Sequence, residues 1–256
     1  MKLWKDEMPH ALAGEEFEPY LTPWLCEGAK TAIVVCPGGA YGDRCSYEGD
    51  DVGAWLNSVG ISAFVLEYRV NPYRAPAAPS DVQRAIRLVR YMAADHGITH
   101  VGVMGFSAGG HLAVTASVHY DHPFYPPMDD VDCLSARPDF SVLCYSVVDM
   151  GQYRHDWSRR FLLGDEPTEQ EIAFYSLQTQ VTAQTPPAFL WHTAEDASVP
   201  AENTLLYAMA LSAHKVPYEM HLFPHGPHGM ALAQETPYVG RWKDMLLQWL
   251  RQMQFV

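Results

Sequence analysis

The chain has 256 residues, 48% of them apolar and 18% charged, which is enough to bury one large core. Its 17 basic and 30 acidic residues leave a formal net charge of -13. That balance argues against nucleic acid and against an anionic membrane surface as partners, because both attract basic proteins.

Residues 1–29 are rich in proline, glutamate and aromatics with weak periodicity, and read as an irregular lead-in with room for one short strand. They begin M-K-L-W-K-D-E-M-P-H, without an apolar stretch of signal-peptide length. The five cysteines, Cys26, Cys36, Cys45, Cys133 and Cys144, are odd in number and form no C-x-x-C or compact Cys/His set. Reduced thiols in a cytoplasmic protein are the simplest account. Nowhere is there a run of about 18 apolar residues to cross a membrane.

Thr31–Cys36, T-A-I-V-V-C, predicts a buried strand that ends in Pro37-Gly38-Gly39-Ala40-Tyr41-Gly42. A glycine-rich loop after a strand lets backbone approach a ligand closely. A phosphate cradle would want a Walker lysine or G-x-G-x-x-G, and neither is present. An oxyanion loop fits better, with the amides of Gly39 and Ala40 as donors. Val52, Trp55, Leu56 and Val59 have helical spacing over Glu48–Val59, stopped by Gly60. Ile61–Tyr68 predicts the next strand. Arg69–Pro79 contains three prolines and predicts a loop, after which Ser80-Asp81 caps a helix to about His96. Arg69, Asp81 and Arg84, at that junction, read as structural ion pairs rather than a site.

His100–Val114 is H-V-G-V-M-G-F-S-A-G-G-H-L-A-V: a strand, then G-x-S-x-G, then a small apolar helix. That context turns the motif into a hypothesis. A serine on so sharp a bend needs glycine two residues away on each side, where side chains would collide. The bend lifts the Ser107 hydroxyl out of the sheet. It aims the Ala108 amide, at a positively polarised helix N-terminus, at an oxygen bound beside it.

Tyr120–Arg137 predicts a loop, with Asp129, Asp130 and Asp132 as a solvated acidic turn rather than a calcium site. Phe140–Val148 predicts a strand ending at Asp149. Residues 150–186 break the strand–helix rhythm and read as a small cap inserted over the sheet's C-terminal edge, with a helix near Glu169. Pro187–Thr193 and Tyr218–Phe223 predict strands, while 201–213 and 238–252 predict helices. No linker or repeat divides the chain, so residues 1–256 read as one α/β domain with a mostly parallel sheet covered on both faces.

A serine nucleophile needs a base and an acid that orients the base. His228, in the glycine-bounded loop after the last strand, is preferred over His225. His111 would pack inside its helix and His192 lies in a strand. Asp196, between a strand and a helix at the same edge, is preferred over neighbouring Glu195, with Asp149 the serious rival. The order Ser107, Asp196, His228 matches the hydrolase order.

Taken together, C-P-G-G-A-Y at 36–41, V-L-E-Y-R-V at 65–70, D-V-Q-R-A-I-R-L-V-R at 81–90, G-F-S-A-G-G-H-L-A at 105–113, T-P-P-A-F-L-W-H-T at 185–193, E-D-A-S-V-P at 195–200 and H-G-P-H-G at 225–229 resemble the α/β-hydrolase superfamily. Within it the chain resembles the hormone-sensitive-lipase-like and acetylxylan-esterase-like small carboxylesterases. The resemblance puts the triad on Ser107, Asp196 and His228. Pro37 and Ala40 stand where lipase-type loops have their first His and last Gly, although an amide donates whatever its side chain. The lead-in looks too short for the first two strands of an eight-stranded sheet.

The resemblance implies a small-molecule ester as partner, a short acyl and most often acetyl group, carried by sugars or xylo-oligosaccharides, with no metal or organic cofactor. A homo-oligomer is left open. Tyr41, Trp157 and Phe174 are candidates to stack on a sugar or aryl leaving group, or equally to form the core of the cap. Competing readings are a prolyl-oligopeptidase-type peptidase, an arylformamidase, and a non-catalytic binding member of the fold.

Overall fold

Alternation decides the layers. In the computed structural model, which describes residues 1–5 and 7–256, Ala32, Val34 and Cys36 of the first parallel strand bury into one apolar cluster and Ile33 and Val35 into another. Successive side chains on a strand point to opposite faces, so a continuous apolar run means a sheet covered on both sides. Strands β1 (Tyr20–Trp24), β2 (Thr31–Cys36), β3 (Ser62–Glu67), β4 (His100–Phe106), β5 (Ser141–Cys144), β6 (Ala188–Thr193) and β7 (Tyr218–Phe223) form one sheet ordered β1-β3-β2-β4-β5-β6-β7. Only β1 runs antiparallel to its neighbour.

Helices α1 (Ser46–Ser58), α2 (Ala77–His96), α3 (Ser107–Val118), α4 (Asp156–Leu163), α5 (Glu169–Tyr175), α6 (Glu202–Ala213), α7 (Pro237–Gly240) and α8 (Trp242–Gln252) complete the fold. One face is covered by α2, α3 and α6, through residues such as Val82, Leu112 and Leu211. The other is covered by α1 and α8, through Leu56, Leu246 and Trp249. After β2 the chain moves to β3 on one side, then returns to β4 on the other. The strand order therefore reverses between β2 and β4, and in open α/β sheets ligands bind outside the strand ends at such a reversal. The glycine-rich loop and Ser107 both sit there.

Several elements differ from the sequence expectation. The helix expected from Ser80 begins three residues earlier, at Ala77, and Asp81 does not cap it. Pro79 is tolerated because the first turn of a helix has no intrahelical acceptor for its amide. Asp81 is instead fully buried and holds Arg69 through a two-pronged pair, Nε to Oδ2 at 2.9 Å and Nη2 to Oδ1 at 2.7 Å. Trp4 Nε1 also donates to it at 3.0 Å, so the lead-in is docked on the core rather than irregular throughout. The strand expected over Phe140–Val148 stops at Cys144. Tyr145 takes a φ of 37°, and Val147 N–H turns to the Ser107 carbonyl at 3.0 Å. The acidic turn is solvated only in part: Asp130 is exposed, but Asp129 and Asp132 both hold the Arg84 guanidinium. A single strand, β1, precedes β2 in the sheet, and no helix among the described residues is long and apolar enough to cross a membrane.

Breaking one side of the Arg69–Asp81 pair strands a buried charge. Asp81→Ala is expected to lower the unfolding free energy by about 3–5 kcal/mol, read as a shift of the urea midpoint. A shift worth less than about 1 kcal/mol would mean that the pair behaves as a solvated one.

Candidate active site

Ser107 opens α3 directly after β4, with φ at 53°, a region an L-residue enters only under constraint. The constraint is steric. A Cβ on Gly105 would overlap the Gly109 carbonyl, and one on Gly109 would overlap the Cys36 carbonyl. Both positions of G-x-S-x-G must therefore be glycine for the bend to close. Ser107 is 6% exposed, so its hydroxyl reaches the surface only through a cleft. The Ala108 amide lies in the first turn of α3, where no intrahelical acceptor exists.

The loop after β2 lies alongside. Gly42 and Asp43 N–H both donate to the Gly39 carbonyl, at 2.9 and 3.0 Å, which curls the loop. Gly39 has a φ of 133°, and a Cβ there would overlap the Asp43 carbonyl. Among the described residues, the amides of Gly39 and Ala40 donate to no protein acceptor. Both residues line a cleft of about 200 Å³ together with Ser107, His155, Ser198 and His228.

His228 stands between the other two side chains. Its Nε2 lies 2.8 Å from Ser107 Oγ and its Nδ1 2.6 Å from Asp196 Oδ2. Asp196 is 9% exposed; its Oδ1 accepts from the amides of Ser198 and Val199, each at 2.9 Å. Burial acts to raise its pKa, but the hydrogen bonds from His192, His228 and Val199 outweigh that and hold it below the usual carboxylate range. With Asp196 charged, Nδ1 of His228 carries the proton, and Nε2 is left to accept from the serine hydroxyl.

The rivals are accounted for by their partners. His225 and Glu195 pair with each other at 2.8 Å on the surface, with side chains 80% and 57% exposed. Asp149 accepts from Gly151 and Tyr153 amides and from Gln178, at 2.8 to 3.0 Å, and so closes its own loop. His111 is fully buried between the Tyr41 hydroxyl (2.8 Å) and the Tyr175 carbonyl (2.9 Å), and burial lowers its pKa to about 4.

Two candidate stacking residues are corrected. Tyr41 is 2% exposed, its hydroxyl spent on His111, so no ring face is free for a substrate. Trp157 is 53% exposed but stacks on Phe161 and does not line the cleft. Phe174 lies flat on His119, with centroids 4.0 Å apart.

Three side chains, His155, Glu48 and Tyr145, were not singled out from the sequence, and a fourth, His192, was weighed only as a base. His192 donates from Nε2 toward Asp196 Oδ2 (3.2 Å) and the Val199 carbonyl (3.0 Å), while Thr204 holds its Nδ1 at 2.7 Å. His155 reaches the cleft from the start of α4, between β5 and β6. Its Nδ1 faces the Ser158 hydroxyl at 2.8 Å, and burial followed by repulsion from His228 lowers its pKa. Glu48, 2% exposed, accepts from Gly38 N–H at 2.7 Å and from the Tyr145 hydroxyl at 2.6 Å. Tyr145 oxygen in turn accepts from Ala231 N–H at 2.8 Å, and its ring packs edge-on to His228. Glu48 thus links the glycine-rich loop to the loop that bears His228. Burial pushes its pKa up, and the hydrogen bonds from Tyr145 and Gly38 offset only part. The one available signal for Glu48 was an acid in the first turn of a helix that directly follows the glycine-rich loop.

A mostly parallel sheet with a serine at the bend after a central strand, and an aspartate and a histidine after later strands, makes this an α/β-hydrolase. The model of the BD-FAE family matches residues 22–211, and the chain belongs to that family. An endo-1,4-beta-xylanase B of Butyrivibrio fibrisolvens is 36% identical over 93% of this chain and 39% of that protein. An acetylxylan esterase of Xylanibacter ruminicola is 33% identical over 86% of this chain and 45% of that protein. The chain thus spans less than half the length of these curated relatives. The crystal structure of an acetyl ester-xyloside bifunctional hydrolase from Caldicellulosiruptor lactoaceticus is 44% identical with a TM-score of 0.96, over 100% of this chain and 96% of that one.

Two stability predictions come from the carboxylates. The depressed pKa of Asp196 contributes stability that is present above the unfolded value near about pH 4 and lost as pH falls through the folded value. Asp196→Asn should therefore flatten the acid limb of a urea-stability profile taken from about pH 3 to 6. An unchanged slope would show that its partners do not favour the charged form. Glu48→Ala leaves two buried donors without an acceptor and should cost about 1–3 kcal/mol for each in the same measurement, whereas a neutral result would show that water replaces the carboxylate.

Proposed function

We propose that the chain is a carboxylic ester hydrolase that removes short acyl groups, chiefly acetyl, from sugars of the xylo-oligosaccharide class. The observation that carries this reading is the Ser107–His228–Asp196 chain of hydrogen bonds, 2.8 and 2.6 Å long, beside free amides. The names of the relatives, with acetylxylan esterase and acetyl ester-xyloside hydrolase among them, support the substrate class.

In the proposed reaction His228 Nε2 takes the Ser107 proton as Oγ attacks the ester carbonyl. Asp196 holds the imidazole in the required tautomer and stabilises the imidazolium. The oxyanion receives the amides of Ala108, Gly39 and Ala40, and one such donor is worth roughly 3 kcal/mol of barrier. His228 then delivers its proton to the leaving alcohol, and the acyl–oxygen bond breaks to leave an acyl-enzyme. A water molecule, deprotonated by His228, attacks the acyl carbon and returns the serine. Each proton and electron pair in the sequence is handled by the chain, the ester and water.

Ser107→Ala is expected to abolish hydrolysis of p-nitrophenyl acetate, and rates equal to wild type would remove Ser107 as nucleophile. Asp196→Asn should lower kcat by about 10⁴-fold, while Asp149→Asn, whose carboxylate is engaged by Gly151, Tyr153 and Gln178 and not by His228, should keep most activity. The reverse ranking would reassign the acid. Acetylated xylo-oligosaccharides, aryl formamides and prolyl peptides, assayed side by side, separate the ester reading from formamidase and peptidase readings. Acetyl esters should be turned over fastest.

A further inference from the structure

A second depression of about 350 Å³ continues the cleft, sharing Tyr47, His228 and Gly229 as a common wall. Stereochemistry assigns the two compartments. In the tetrahedral intermediate the oxyanion points to the free amides of Gly39, Ala40 and Ala108. The leaving oxygen must lie against His228 Nε2, which protonates it. With the oxyanion on those amides and the leaving oxygen on His228, the acyl group is left the rest of the smaller compartment, beside His155 and Ser198. The leaving alcohol extends past His228, over Tyr47 and into the larger groove.

The chemistry of that groove is specific. Tyr47 is 44% exposed and offers an apolar ring with a polar tip. Asp51 lies one helical turn further along α1, on the same face. The opposite wall presents Gln234, Glu235 and Thr236. Two carboxylates, an amide and a hydroxyl therefore face the groove, and no lysine or arginine lines it among the described residues. Carboxylates accept from hydroxyl groups but repel another anion. The far wall is also held in place: Ala231 N–H donates to the Tyr145 hydroxyl at 2.8 Å, and the Ala231 carbonyl accepts from Trp242 Nε1 at 3.1 Å. A wall anchored in advance loses little entropy when a ligand binds.

We propose that this groove is the leaving-group subsite, that it holds a neutral oligosaccharide with one sugar ring on Tyr47 and the next between Asp51 and Gln234–Thr236, and that it discriminates against acidic sugars. The proposal rests on the ester-hydrolase reading above and names the part of the substrate which that reading leaves undefined.

The test compares kcat/KM for three acetyl esters: a neutral acetylated xylo-oligosaccharide, the same oligosaccharide carrying a uronic acid, and ethyl acetate, whose leaving group is too small to fill the groove. Wild type should favour the neutral sugar ester over both others. Tyr47→Ala, and separately the exposed double variant Gln234→Ala/Glu235→Ala, should lower the ratio of sugar-ester to ethyl-ester kcat/KM by about tenfold, mainly through KM. Glu235→Lys should narrow the gap between the neutral and acidic oligosaccharides. If wild type favours the neutral sugar ester but neither variant moves the ratio beyond about twofold, the sugar lies elsewhere, and the ester reading survives without the groove. If wild type prefers ethyl acetate while Ser107→Ala still abolishes its hydrolysis, the groove's ligand is misassigned although the nucleophile stands. Loss of nothing in Ser107→Ala would overturn the ester reading and the groove with it.

Discussion

The hydrogen bond between Ser107 Oγ and His228 Nε2 joins segments 121 residues apart, and most of the local geometry exists to make it possible. It requires a serine lifted out of the sheet, which in turn requires the glycines at 105 and 109 and a backbone held at positive φ. Val147 N–H secures the serine's own carbonyl. On the other side, the imidazole is aimed by Asp196, and Asp196 by two amides and His192. Remove the sheet reversal between β2 and β4 and none of these groups has a common edge to meet on.

Glu48 adds a constraint of a different kind. A carboxylate that is nearly fully buried is costly unless it is satisfied, and here each oxygen has one strong donor. The two donors belong to different loops, one feeding the free amides and the other packed on His228 through Tyr145. The desolvation cost is thus tied to the relative placement of the groups proposed to bind the oxyanion and to move the proton. His192 plays a comparable part behind Asp196, so both carboxylates near His228 are set by a partner that never reaches the cleft.

Much of the fold was legible because its signals are local. The apolar run at Thr31–Cys36 and the alternating segment Tyr218–Phe223 matched strands with the same bounds, and the strand–helix alternation matched the mostly parallel sheet. What failed locally failed for tertiary reasons. Pro79 suggested a loop yet sits in the first turn of α2, and Asp81 suggested a cap yet is buried under Arg69 and Trp4. The strand through Tyr145 was cut short by the turn that reaches back to Ser107. Spacing also could not rank the acids and histidines by itself: His225 with Glu195 and His228 with Asp196 have nearly the same separations, and only burial distinguishes an exposed pair from one facing the serine. Tyr41 shows the same blindness. Its place in the glycine-rich loop is adjacent to the cleft in sequence, while its ring turns into the core to meet His111.

The first turns of α1 bring these threads together. Tyr47 and Asp51, four residues apart, lie exposed on one side of the helix, while Glu48 beside them is 2% exposed and turned into the protein. The inward face carries the carboxylate that holds Gly38 and Tyr145; the outward face lines the groove beyond His228. One short stretch thereby supports the glycine-rich loop and walls the groove beyond His228. The carboxylate that holds Gly38 and the side chains that wall the groove therefore sit on the same turns of α1. Binding energy from a remote part of a substrate is of use at the reacting bond only when both parts are held on one rigid frame, and in this fold the two regions share a helix with one buried carboxylate between them.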